Sequence, residues 1–238
     1  MAISGSHVLV TGSNRGLGRS LVGALLAQDA ARVYAAARNI DLLGFDDPRV
    51  VAVQLDVTSD FSVHRASSVC QPIDVVINNA AALFNTPLMG VADLDGARVE
   101  METNYWGILR MCRAFVPSLT PRRGLIVNVL SIGALTSVPF CGSYCAAKAA
   151  AWSLTQAIRG ELRASGVTVV AAFPGPIATD MARPGEMAGR CPPDVMARTL
   201  VKALDQGETM IFPDDVSAAF VQSYAADPLA DRFAGNMK

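Results

Sequence analysis

Residues 7–18 read His7-Val8-Leu9-Val10-Thr11-Gly12-Ser13-Asn14-Arg15-Gly16-Leu17-Gly18. A short apolar, β-branched run ends in a turn with three glycines, and helical periodicity then takes over across 16–28. A strand entering a glycine turn that opens a helix is the geometry of a phosphate site. The glycines let the backbone turn sharply and approach a diphosphate, and the helix N-terminus offers free N–H groups and partial positive charge. The spacing is TGxxxGxG, not the GxGxxG fingerprint. Gly12, Ser13, Asn14, Arg15, Gly16, Leu17 and Gly18 are therefore candidate cofactor-binding residues.

The alternation continues beyond this unit. Strand-like runs occur at 32–37, 50–55, 73–78, 125–130, 167–173 and 210–212, with helical stretches at 59–69, about 92–119, 143–164 and 193–205. Strands alternating with helices predict an α/β fold, a doubly wound and mostly parallel seven-stranded sheet flanked by helices and joined by right-handed crossovers. Gly166 is placed as a helix C-cap, and Pro192-Pro193-Asp194 as a helix start. Residues 39–49 hold at most a turn or two of helix, and the tail from Asp214 is expected to pack on the body or on a neighbour.

The 238 residues fit one domain, 1–238, and 51% are hydrophobic against 17% charged. With 20 Lys+Arg and 21 Asp+Glu the net charge is −1, which leaves no basic stripe for a nucleic acid. The first strand begins too early for a signal peptide, and no apolar run reaches the roughly 18–20 residues that span a bilayer. A soluble, cytoplasmic protein is expected. Five cysteines without a CxxC pair, and two distant histidines, assemble no metal site.

The second strand ends Ala35-Ala36-Ala37-Arg38, without the carboxylate that accepts hydrogen bonds from an NAD ribose. Arg38, with Arg15 from the other side, suits a 2′-phosphate, so NADP(H) is expected over NAD(H); the alternative is that both arginines are solvated ends. Tyr144 and Lys148 lie four apart at the start of a predicted helix, on one face. A neighbouring ammonium favours a phenolate and draws the hydroxyl toward acid–base work near neutral pH. Ser131, just after the strand 125–130, can donate to a carbonyl oxygen as negative charge develops there.

In order, the chain carries TGxxxGxG, Asn78-Asn79-Ala80, Asn104, a serine thirteen residues before a tyrosine, YxxxK and Pro174-Gly175-Pro176-Ile177. This series, spanning Val8 to about Asp180, resembles the short-chain dehydrogenase/reductase family in its standard-length branch. The resemblance implies a single-domain Rossmann fold and oxidoreduction between a ketone or aldehyde and an alcohol. It implies that Tyr144 protonates the carbonyl oxygen, Lys148 also binds the nicotinamide ribose, Ser131 orients the substrate, and Asn104 holds a water in a proton relay. It further places Asp56 and Val57 by the adenine, Asn79 by the cofactor ribose, and Ile177 and Thr179 by the carboxamide, after Pro174. Two departures stand out. Ala81 replaces the glycine usual after Asn-Asn-Ala, and Leu130 replaces the first of two serines. Neither removes a reactive group. A non-catalytic cofactor-binding sensor would share the fold, but such relatives lose the tyrosine or lysine retained here.

Loops 81–89, 132–142 and 175–191 reach the carboxyl end of the sheet. They bring Leu83, Phe84, Ile132, Leu135, Pro139, Phe140, Met181 and Met187, an apolar lining for an uncharged small-molecule carbonyl. Arg183 and Arg190 favour a carboxylate instead. Met101, Trp106, Ile108, Met111, Phe115 and Trp152 are more than one sheet face hides, and the resemblance implies a homodimer or homotetramer built on these helices. Cys141 and Cys145, beside Tyr144, are assigned to packing.

Overall fold

A computed structural model of the chain describes residues 2–84, 88–179 and 190–228. Seven strands are formed by His7–Thr11 (β1), Arg32–Ala37 (β2), Val50–Gln54 (β3), Val75–Asn78 (β4), Leu125–Val129 (β5), Thr168–Ala172 (β6) and Met210–Ile211 (β7). They make one sheet in the order β3-β2-β1-β4-β5-β6-β7, with every pair parallel. β4 and β5 are buried at every position. That explains why they read as largely apolar runs, broken only by Asn78 and Asn128: both sheet faces are covered.

On one face, α1 (Gly16–Ala27) and α6 (Pro193–Asp205) bury Leu17, Leu21, Leu25, Met196, Leu200 and Leu204 against the sheet. On the other, α2 (Asp60–Val69), α4 (Gly107–Leu119) and α5 (Gly142–Glu161) pack Val63, Met111, Phe115, Ala151 and Ile158. The expected helix over 92–119 is broken. α3 (Asp95–Met101) passes into a π-helical turn, Glu102–Trp106, before α4 begins. Ile108, Met111 and Phe115 are core residues, whereas Trp106 remains 45% exposed, so only part of the expected surplus is left for an interface. Gly166 takes the left-handed C-cap and α6 starts at Pro193, as the sequence indicates. Residues 39–49 supply a single 3-10 turn, Ile40–Leu42.

The tail that the sequence left unread forms α7 (Asp215–Ala226). Its N-cap is Asp214, whose carboxylate accepts from the Ser217 N–H while the Ser217 hydroxyl faces back to the Asp214 N–H. No described helix is long and apolar enough to cross a membrane.

Candidate active site

The chain reverses its winding direction between β1 and β4, and the crevice outside their carboxyl ends is where an open α/β sheet takes ligands. Gly12 and Gly16 adopt φ of +70° and +53° there. A Cβ on Gly18 would lie 2.1 Å from the Gly12 carbonyl oxygen, and one on Gly12 would lie 3.0 Å from Ala80 Cα. The turn is folded tightly onto the first turn of α1, in the form a diphosphate cradle requires. Asn79 ties this turn to the end of β4. Its side-chain amide donates to the Thr11 carbonyl at 2.9 Å, and the Thr11 hydroxyl accepts the N–H groups of Asn79 and Ala80 at 3.0 and 2.9 Å. Asn79 thus has a structural task besides the ribose contact that the resemblance implies.

Other expected cofactor residues gather at the same end. Ser13 is buried and donates to the Val10 carbonyl, Asn14 is half-buried, and Arg15 is the exposed N-cap of α1. Leu17 belongs to the core, so its side chain packs inward. Arg38 is exposed directly after β2, the neighbour of β1. Asp56 accepts from the Thr58 N–H and hydroxyl, and Val57 is buried against Gly107. On the far side, the Pro174 carbonyl accepts from Ile132 N–H, Ile177 bridges to Cys191, and the Thr179 methyl lies over Gly16. Asp214 accepts from the Gly175 N–H at 2.8 Å, so the tail helix holds this Pro-Gly-Pro turn.

Ser131, Tyr144 and Lys148 come together above β5 and the first turns of α5. The Ser131 hydroxyl and the Tyr144 ring both lie beside Gly133, close enough for the hydroxyl to act on the phenol. The Ser131 Oγ accepts from Gly133 N–H at 3.0 Å. Lys148 is buried, donates to the Val129 carbonyl at 2.9 Å and sits 5.7 Å from the Tyr144 ring centroid. Burial pushes the Tyr144 phenol above its ordinary 10, more than the Ser131 hydroxyl pulls it down. This corrects the expectation of a phenol made acidic by its lysine: the protein groups by themselves keep it protonated. Burial also lowers Lys148, to about 8.

Asn104 lies in the π turn, fully buried. Its amide accepts from Ala82 N–H and donates to the Ala82 carbonyl, both at 2.9 Å. The side chain is a clamp on the loop after β4, a task besides the relay that the resemblance implies. Glu100, which the sequence reading missed, stands one turn earlier. It is buried, takes Phe84 N–H on Oε1 at 2.8 Å, and leaves Oε2 without a hydrogen-bond partner. An acid four residues before Asn104 on the same helix face was the signal available.

A cavity of about 310 Å³ opens between this loop, α3 and the start of α5, lined by Phe84, Leu88, Val91, Leu94, Ala97 and Ser143 among others. Of the expected lining, Phe84 is here, while Leu83, Ile132 and Leu135 are half-buried and Pro139 and Phe140 exposed. Met181, Arg183 and Met187 lie outside the described residues. Among the described residues no group of three potential metal ligands occurs.

Fold and crevice together define a doubly wound α/β protein with a glycine cradle and, beside it, a serine, a tyrosine and a lysine. The sequence profile of the short chain dehydrogenases matches residues 6–187, and the chain belongs to that family. A short-chain dehydrogenase of Penicillium crustosum is 31% identical over 83% of this chain and 74% of its own. A 3-oxoacyl-acyl-carrier-protein reductase of Vibrio cholerae is 31% identical over 77% and 78%. A short chain dehydrogenase of Burkholderia cenocepacia, solved in complex with NADP, superposes with a TM-score of 0.91 at 39% identity over 95% of both chains.

Proposed function

We propose that this oxidoreductase interconverts a ketone or aldehyde with an alcohol using NADP(H), with Tyr144 as general acid and base. The observation that carries the proposal is the gathering of Ser131, Tyr144 and Lys148 beside the glycine cradle. The cradle from Gly12 to Gly18 would hold the diphosphate, and Arg15 and Arg38 the 2′-phosphate. Asp56 and Val57 would meet the adenine, Asn79 and Lys148 the riboses, and Pro174, Ile177 and Thr179 the carboxamide side. Bound there, a nicotinamide supplies or accepts the hydride.

Ser131 donates to the carbonyl oxygen and fixes it next to the phenol. Tyr144, kept protonated by its burial, passes its proton to that oxygen as charge develops. Lys148, anchored on Val129, stabilises the phenolate left behind. Asn104 and Glu100 hold the wall of the cleft. The absence of a carboxylate after β2 and the NADP in the Burkholderia relative support NADP(H) over NAD(H).

Phe84, Leu88, Val91 and Leu94 in the cavity support an uncharged carbonyl substrate, and the exposed Val99 and Trp106 support a homodimer or homotetramer. Consumption of NADPH is to be measured against ketones, aldehydes and keto acids. Turnover is expected with uncharged carbonyls. Preference for keto acids removes the substrate assignment, and no turnover with any of them removes the activity.

A further inference from the structure

Cys141 and Cys145 flank Tyr144, and their sulfurs lie 3.8 Å apart in hydrogen-bonding contact. Cys141 ends the 3-10 turn Pro139–Cys141 and caps α5 from outside that helix, with φ −144° and ψ 40°. Cys145 is one turn inside, and Gly133, which has no side chain, faces its sulfur: a Cβ there would be 3.2 Å away. Both residues are buried, Cys141 at 8% exposure beside the exposed Pro139 and Phe140. This pairing separates them from the other thiols. Burial alone pushes Cys70 up to about 12 and, mainly, Cys112 likewise. In the pair, the contact between the two sulfurs lowers one thiol, Cys145, against its burial and raises the other, Cys141. Two sulfurs in hydrogen-bonding contact let one act as thiolate while the other holds the proton.

We propose that Cys141 and Cys145 form a dithiol that hydrogen peroxide closes to a disulfide, switching off the site at Tyr144. The Cys145 thiolate attacks one peroxide oxygen: an S–O bond forms, the O–O bond breaks, and hydroxide leaves and is protonated to water. The Cys141 sulfur then attacks the Cys145 sulfenic acid: the S–S bond forms, the S–O bond breaks, and the departing hydroxide takes the Cys141 proton. Two thiols are oxidised and one peroxide is reduced to two waters. A disulfide needs its sulfurs about 2.05 Å apart, so the cap and the first turn of α5 must draw together. Tyr144 stands in that turn, and displacement by a fraction of an ångström is enough to misplace a proton donor.

The effect on activity rests on the role proposed above for Tyr144, but the linkage itself does not. The full-length folded protein is treated with hydrogen peroxide, its remaining thiols are blocked with iodoacetamide, and its peptides are mapped by mass spectrometry. A linked Cys141–Cys145 peptide is expected, with carbonyl reduction falling about tenfold or more and both changes reversed by dithiothreitol. Cys145→Ser is expected to keep its activity in peroxide. Two free, alkylated thiols after treatment would overturn the proposal, as would a linked protein as active as the reduced one. Linkage in a protein that shows no carbonyl reduction even when reduced would support the dithiol and count against the proposed function.

Discussion

A buried lysine is held at a price in stability that a catalyst has reason to tolerate. Lys148 sits among apolar neighbours with one hydrogen bond, to Val129, and burial lowers its pKa from 10.5 to about 8. At about 1.4 kcal/mol per unit, that shift bounds the cost at about 3.5 kcal/mol. Lys148→Met is therefore expected to stabilise the protein by about 1–2 kcal/mol at pH 7, once the lost hydrogen bond is allowed for. Below about pH 8 the ammonium is charged in folded and unfolded chains alike, and the cost is full. Between about 8 and 10.5 the folded chain has lost the proton and the unfolded chain has not, so wild-type stability climbs and the variant's advantage shrinks. Urea melts at pH 7 and pH 10 measure this; a variant less stable than wild type at pH 7 would contradict it. Tyr144 has its own signature. With its phenol pushed above 10, carbonyl reduction should stay level through neutral pH, while alcohol oxidation, which needs the phenolate, should rise steadily with pH. Initial rates in both directions against pH check this.

At the scale of elements, the turns were legible and the side chains that brace them were not. Strand, glycine turn and helix follow from period and steric freedom, which are local. Gly18→Ala is expected to weaken NADPH binding and lower the melting temperature, because its methyl would meet the Gly12 carbonyl at 2.1 Å. An alanine variant with unchanged binding by fluorescence titration would contradict the cradle. The π turn is a different matter. It depends on Asn104 and Glu100 reaching across to Ala82 and Phe84, some twenty residues earlier, and no periodicity announces such a bond. Likewise the resemblance named Asn104 and Asn79 by their position, yet the structure gives both amides bracing tasks, on Ala82 and on Thr11. Arg38 stays a matter of charge at a strand end. Arg38→Ala should cost NADPH about 1.5–3 kcal/mol, roughly 10–100-fold in kcat/KM, and leave NADH nearly unchanged.

Across the whole molecule, alternation and right-handed crossovers made the parallel seven-stranded sheet legible, while the strand order, the π turn and α7 came from the structure. That helix needed its cap, Asp214, to be recognised, and the same carboxylate also braces Gly175. The opposite end of the sheet carries its own anchor. Asp74, just before β4, accepts from His7 N–H at 2.8 Å and pairs with Arg122 at 2.5 Å. Burial raises its pKa, but the Arg122 and His7 hydrogen bonds outweigh it and leave it below 3.8. That stabilisation is present above about pH 4 and lost as pH falls through the lowered value. Asp74→Asn should cost about 1–2 kcal/mol at pH 7, discounted for the exposed side of Arg122, and progressively less below pH 4.

The proposed function turns on one chemical step. The most direct test compares NADPH oxidation by the wild type and by Tyr144→Phe at saturating carbonyl substrate. Loss of the proton donor with the ring retained should lower kcat by about 10²–10⁴-fold while NADPH still binds. A phenylalanine variant that turns over like the wild type would contradict the proton transfer assigned to Tyr144.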